Sequence, residues 1–190
     1  MSSPIEQRVG ERLSDRGETI AVAESATGGL IGSLLTDVPG ASAYFDRSLV
    51  TYAYEAKLEE LAVARETLDE VGAVSQAVAG QMAAGVRDRS GTDWGLATTG
   101  VAGPDGGSAE TPVGTVYIGL SRAAAWESGD SWTAVSRYEF DGDRAACKGQ
   151  FARQALADLE TSLTEAAPPA GATRTDSADT DEAAANDSNR

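Results

Sequence analysis

The chain has no histidine, a single cysteine, and two lysines against thirteen arginines in 190 residues. Without histidine, and with Cys147 alone, the usual zinc and facial-triad iron sites lack their ligands. A carboxylate-bound magnesium stays open, but no acidic cluster has an obvious ligand spacing, and neither a metal nor a cofactor is expected. One cysteine also excludes an internal disulfide. Long apolar runs are missing too, as are a secretory signal and a lipidation motif. These absences predict a cytoplasmic protein with no membrane partner.

Positive charge is scarce. The formal net charge is −15, with 30 acids against 15 basic residues. The segment from Glu165 to Arg190 carries six acids and two arginines, a charge of −4, which leaves −11 on the rest. Such a surface repels DNA, RNA and anionic membranes. Excess acid with almost no lysine resembles the composition of a chain adapted to high salt, where screening tolerates self-repulsion; the alternative is an ordinary acidic cytosolic protein. The segment 165–190 has no apolar side chain beyond alanine and proline, too little to offset chain entropy. It is expected to be an acidic disordered tail behind one folded domain, residues 1–164.

What is present alternates between helix and strand patterns. Ile5, Val9 and Leu13 recur every four residues and predict a helix over Pro4–Arg16, ended by Gly17. Strands are predicted at Thr19–Ala23, Ser48–Ala53, Trp94–Thr99, Val113–Ser121 and Trp132–Phe140, the last two as a hairpin. Helices are predicted at Gly29–Thr36, Ala41–Phe45, Glu55–Leu61, Arg65–Val71, Ser75–Arg89 and Arg144–Leu163, with Ser75 as an N-cap. Helices before, between and after about five strands give a three-layer α/β/α sandwich. Two late strands with no helix between them make its sheet mixed.

Two glycine-rich turns follow strands: Thr27-Gly28-Gly29, and Thr99-Gly100 through Gly103 to Gly107. Ligands of α/β sheets gather where strands end. Glycines allow positive φ and close backbone approach to an anion. Neither turn matches a P-loop or the dinucleotide fingerprint. The first turn carries Ser25, which is either a helix cap or a nucleophile. With no histidine, a nucleophilic Ser25 needs a lysine or a carboxylate as base, with tyrosine as a possible relay. Lys57 is the better clue: a desolvated lysine can lose its proton near neutral pH, and arginine cannot. The competing reading is a surface lysine paired with Glu55 or Glu60. Tyr52 lies five residues before Lys57, placed to relay a proton or orient the amine. Arg47 and Arg144 are candidate phosphate clamps, each with pairing to a surface acid as the alternative.

Six ordered runs carry a resemblance. They are Ala23-Glu24-Ser25-Ala26-Thr27-Gly28-Gly29, Leu35 through Ser42, Val50-Thr51-Tyr52 with Glu55-Ala56-Lys57, Gly72-Ala73-Val74-Ser75, Thr99 through Gly107, and Pro112 through Val116. Together with Gly142-Asp143-Arg144 they resemble the C-terminal domain of the competence/damage-inducible CinA family. The resemblance implies a nicotinamide-nucleotide amidase, which converts nicotinamide mononucleotide to nicotinate mononucleotide and ammonia. It implies a catalytic Ser25 assisted by Lys57 and Tyr52. Substrate is expected at Thr27, Gly28, Gly29, Thr99, Gly100, Gly103 and Arg144. It further implies a small-molecule nucleotide as partner, no nucleic acid, and a homo-oligomer of two or more copies. Thr111 stands where the family commonly has lysine, which leaves a catalytically silent nucleotide-binding module as the alternative. Some relatives carry an N-terminal molybdopterin-binding-like domain linked to ADP-ribose hydrolysis, an activity not expected here.

Overall fold

The computed structural model describes residues 3–165 and 168–174. Six helices alternate with strands: α1 (Ile5–Arg16), β1 (Ile20–Glu24), α2 (Leu30–Thr36), β2 (Phe45–Val50), α3 (Tyr54–Leu61), α4 (Arg65–Val71), α5 (Gln76–Ser90), β3 (Trp94–Gly100), β4 (Thr115–Arg122), β5 (Trp132–Glu139), α6 (Arg144–Thr164) and β6 (Thr173–Arg174). The sheet order is β2-β1-β3-β4-β5-β6. β2, β1 and β3 run parallel, and β4, β5 and β6 each run antiparallel to the strand before.

β1 is buried along its whole length, yet its alternation still sorts the layers. Ile20 and Val22 join Leu13, Ile31, Phe151 and Leu156 on the α1, α2 and α6 face. Ala21 and Ala23 join Leu61, Met82 and Val86 on the α3–α5 face. Small residues let α5 lie unusually close to the sheet. A Cβ on Gly95 would stand 2.0 Å from the Ala83 carbonyl oxygen, and one on Gly119 would stand 2.3 Å from that of Ala79.

The three-layer class and the mixed sheet agree with the sequence pattern, but the count is six strands rather than about five. The extra strand comes from the segment expected to be disordered. Thr173 and Arg174 pair with Thr133 and Trp132 on the β5 edge. Edge pairing is made by backbone groups and needs no apolar side chain, so composition does not report it. The remainder of that tail, 175–190, lies outside the described residues. The other departure is β2, which begins at Phe45 and ends at Val50, earlier than predicted. The predicted helix before it shrinks to a 3-10 turn over Ala41–Ala43. Thr51 and Tyr52 leave the strand, which frees their carbonyls for another partner.

Gly95→Ala should lose at least about 2 kcal/mol, because the new methyl meets backbone on a packed helix rather than a movable side chain. Urea unfolding of the variant beside the parent protein, at one fixed salt concentration, checks this.

Candidate active site

Register brings three strand ends to one level. Glu24 of β1 stands opposite Val50 of β2 and Thr98 of β3. The next residue on each strand, Ser25, Thr51 and Thr99, therefore emerges at the same edge of the sheet. One further ladder-like bond continues on each side: Ser25 N–H donates to Thr98 O at 3.0 Å, and Thr51 N–H to Glu24 O at 2.9 Å. A cleft of about 590 Å³ opens there, within the usual size of a small-molecule site. Ser25, Lys57, Thr99 and Gly100 line it, with Tyr52 and Tyr54 on its rim.

Lys57 comes to this edge from α3. Its Cβ shares a helical face with Leu61, four residues on, and both side chains are buried. Lys57 thus occupies a core position, with no exposed surface at all. Its Nζ donates to Thr51 O at 2.7 Å and to Tyr52 O at 3.3 Å, and lies 3.1 Å from Ser25 Oγ. No carboxylate pairs with it among the described residues. Burial without a counter-charge pulls the Lys57 pKa down from 10.5 to about 8. The surface pair with Glu55 or Glu60 is not formed; Glu60 instead binds Arg89 at 2.7 Å.

The geometry around Nζ has a chemical consequence. Two carbonyls take two N–H groups of Nζ, because a carbonyl oxygen accepts and cannot donate. The remaining tetrahedral position faces Ser25 Oγ. In the neutral amine that position is a lone pair, able to take the hydroxyl proton.

Ser25 is held by the turn that follows it, and the turn is held by Glu24. The Glu24 carboxylate is fully buried. Oε2 accepts from Thr27 Oγ1 at 2.7 Å, Gly29 N–H at 2.8 Å and Ile31 N–H at 3.1 Å. Oε1 accepts from Gly32 N–H at 2.9 Å and Ser48 Oγ at 2.7 Å. Thr27 Oγ1 also lies 2.8 Å from Thr98 Oγ1. A carboxylate at a helix N-terminus satisfies the orphan N–H groups and matches the helix dipole. Gly28 and Gly29, at φ 62° and 96°, let the chain fold back tightly enough for one side chain to reach all of these donors.

This arrangement corrects several sequence expectations. The Thr27 hydroxyl and the Gly29 N–H are not free for substrate: both are spent on Glu24. Tyr52 does not bridge Ser25 and Lys57 through its phenol. The ring is 64% exposed and its hydroxyl accepts from Arg144 Nη2 at 3.3 Å, while its carbonyl serves Lys57. Arg47 is no phosphate clamp: it sits opposite Ala21 on β2 and pairs with Asp46. Thr99 lines the cleft, but its hydroxyl donates to Ala73 O at 2.7 Å. Gly100 lines the cleft as well. Gly103 offers its carbonyl to Arg144 Nη1 at 2.6 Å, which ties the second glycine turn to the start of α6. Ser75 caps α5, accepting from Val78 N–H at 3.3 Å. Sequence reasoning missed Glu24, although a carboxylate just ahead of a helix start is a readable capping signal. It also missed the carbonyls of Thr51 and Tyr52, which no side-chain pattern reports.

Among the described residues no helix is long and apolar enough to span a membrane. No group of three or more potential metal ligands is found among them either.

A mixed α/β/α sheet with a serine and an unpaired buried lysine at its parallel strand ends defines a class: an α/β domain with a serine–lysine pair in a strand-end cleft. Comparison with known proteins gives the family. The model of the CinA C-terminal domain matches residues 2–163. A CinA-like protein of Chlorobium limicola is 46% identical over 165 residues, covering 87% of this chain and 38% of that protein. One from Synechocystis is 55% identical over 113 residues, covering 60% of this chain and 27% of that protein. The crystal structure of the competence/damage inducible protein CihA from Agrobacterium tumefaciens superposes with a TM-score of 0.73 at 37% identity, covering 87% of this chain and 100% of that one. The competence damage-inducible protein A from Klebsiella pneumoniae gives 0.79 at 33% identity, over 86% and 97%. The chain belongs to the CinA C-terminal domain family. It spans well under half the length of these two CinA-like relatives.

The Lys57 shift also couples to stability. The folded pKa, about 8, lies below the unfolded 10.5, so between those values the unfolded chain binds the extra proton. Stability contributed by Lys57 therefore rises with pH across that window, by about 3 kcal/mol in all, and is flat below it. Lys57→Met should remove this rise. The difference in unfolding free energy between parent and variant, measured in urea at pH 7.5 and again near pH 10.5, should change in favour of the parent.

Proposed function

We propose that this protein is an amidohydrolase that deamidates nicotinamide mononucleotide to nicotinate mononucleotide and ammonia. The observation that carries the reading is the uncompensated Lys57 amine at 3.1 Å from Ser25 Oγ. Lys57 takes the proton of Ser25 as Oγ attacks the carboxamide carbon. The amide oxygen becomes an oxyanion, which backbone N–H groups of Thr27 and Gly28 can receive; neither has a hydrogen-bond partner among the described residues. As the C–N bond breaks, Lys57 returns the proton to the leaving nitrogen and ammonia departs. Water then attacks the ester, giving its proton to Lys57, and Ser25 Oγ recovers a proton as the acid leaves.

The cleft suits a cationic aromatic ring. Tyr52, Tyr54, Tyr117 and Glu110 are among its lining residues, and aromatic rings with a carboxylate favour a positive pyridinium. The acidic surface argues for a small nucleotide rather than nucleic acid as partner. We include assembly into a dimer or larger homo-oligomer in the proposal. One observation favours the silent nucleotide-binding module instead: Thr111 binds Ser108 at 3.0 Å and brings no charge to the cleft.

Ammonia release from nicotinamide mononucleotide at high salt separates the two. Ser25→Ala should abolish release and leave binding of the mononucleotide within about twofold. Lys57→Arg should lose at least about 100-fold, since the charge stays but no removable proton does. Binding without release in the parent protein at every pH would establish the module. The parent's kcat/KM should rise with pH along a limb centred near 8, because the active free protein carries neutral Lys57.

A further inference from the structure

We propose that Lys148, together with Arg144, forms the site that takes the phosphate monoester of the substrate, and so selects a mononucleotide over the matching nucleoside. The inference rests on the amidase reading for its kinetic consequence, but its anion chemistry stands on separate observations.

The helix end that would ordinarily receive a phosphate is closed. The N–H groups of Gly29, Ile31 and Gly32 at the start of α2 already serve the Glu24 carboxylate. A second anion there would meet a buried negative charge and find these three donors already engaged. The phosphate must be held elsewhere within reach of Ser25.

Arg144 and Lys148 meet that need. They lie four residues apart, on one face of the first turns of α6. With Leu30 and Ala145 they line an open cavity of about 410 Å³. Lys148 Nζ stands 3.4 Å from the point that a Cβ on Gly28 would occupy, so the ammonium rests against the turn that follows Ser25. Arg144 reaches the catalytic cleft from the other side, through its bond to the Tyr52 hydroxyl at 3.3 Å. The cavity and the cleft are thus linked through the Arg144–Tyr52 bond.

Their charge is unspent. Nine arginines of this chain pair with carboxylates within 4.0 Å. In a chain with 30 acids, neither Arg144 nor Lys148 has such a partner among the described residues. Arg144 spends one N–H on Gly103 O and one on Tyr52, leaving three of its five donors. A planar fork and a point charge facing one cavity make a receptor for a phosphate dianion.

The test compares Lys148→Gln and Lys148→Arg with the parent at one fixed salt concentration. Binding of ribose 5-phosphate and of inorganic phosphate is measured by calorimetry. Kinetics are measured on nicotinamide mononucleotide and on nicotinamide riboside. Lys148→Gln should weaken ribose 5-phosphate binding and raise KM for the mononucleotide by about tenfold or more, the weight of one charge-assisted contact. Its kcat/KM for the riboside should stay within about twofold of the parent's, and Lys148→Arg should restore most of the loss. Equal losses on mononucleotide and riboside, or phosphate binding indifferent to Lys148, would overturn the proposal. If the parent releases no ammonia from either substrate, the amidase reading fails, while Lys148-dependent binding of ribose 5-phosphate still upholds the anion site.

Discussion

A buried amine with no counter-ion is the constraint around which this domain is arranged. Lys57 sits where α3 would otherwise place a core side chain, and an isolated ammonium is costly there. Three neighbours make the position tenable: the carbonyls of Thr51 and Tyr52, and Ser25 Oγ. The carbonyls stabilise the amine without adding negative charge, so burial is free to lower its pKa. A carboxylate in their place would hold the proton on, since an opposite charge favours the charged form. The end of β2 follows from this. Thr51 keeps its N–H on Glu24, but its carbonyl turns away from the ladder to serve the lysine.

Glu24 is the complementary case. It is a buried anion with no cation beside it, satisfied by three backbone N–H groups and two hydroxyls. Its bonds fix the turn after β1 to the start of α2 and to β2, and so fix Ser25 against Lys57. One consequence reaches beyond positioning. A glycine turn leading into a helix looks from sequence like an anion receptor, yet in this fold the receptor is filled from within. The neighbouring start of α6 is where cations without a carboxylate partner among the described residues, Arg144 and Lys148, come close to this turn.

Much of this was legible in the sequence. The periods of Ile5, Val9 and Leu13 and of the β1 run are those of a helix and a buried strand, and both are found close to their expected bounds. The missing histidine left few partners for Ser25, and Lys57 was among them. What escaped was made by backbone or by distant pairing. Composition cannot see two residues adding a strand to the β5 edge. A residue's type does not say whether its carbonyl or its side chain does the work, and Tyr52 contributes the first to Lys57 and the second to Arg144. Thr27 and Gly29 were read as facing outward because the capping reach of Glu24, from the preceding strand, joins residues up to eight apart.

The scarcity of lysine takes on meaning from where the lysines lie. The chain has two, and both border the turn from Ser25 to Gly29: one against the hydroxyl, the other against Gly28. Elsewhere the cations are arginines, most of them committed to acids at a strongly acidic surface. Paired arginines suit that surface because the guanidinium binds carboxylates in a fork and keeps its charge at any physiological pH. Neither property suits Lys57, which is buried without a carboxylate partner and whose pKa is lowered to about 8. At Lys148 what matters is position: a charge on a flexible stem reaches the tight turn at Gly28. The same rare residue thus stands at two points of one site for two different physical reasons, and the pressure against lysine elsewhere is what makes both visible.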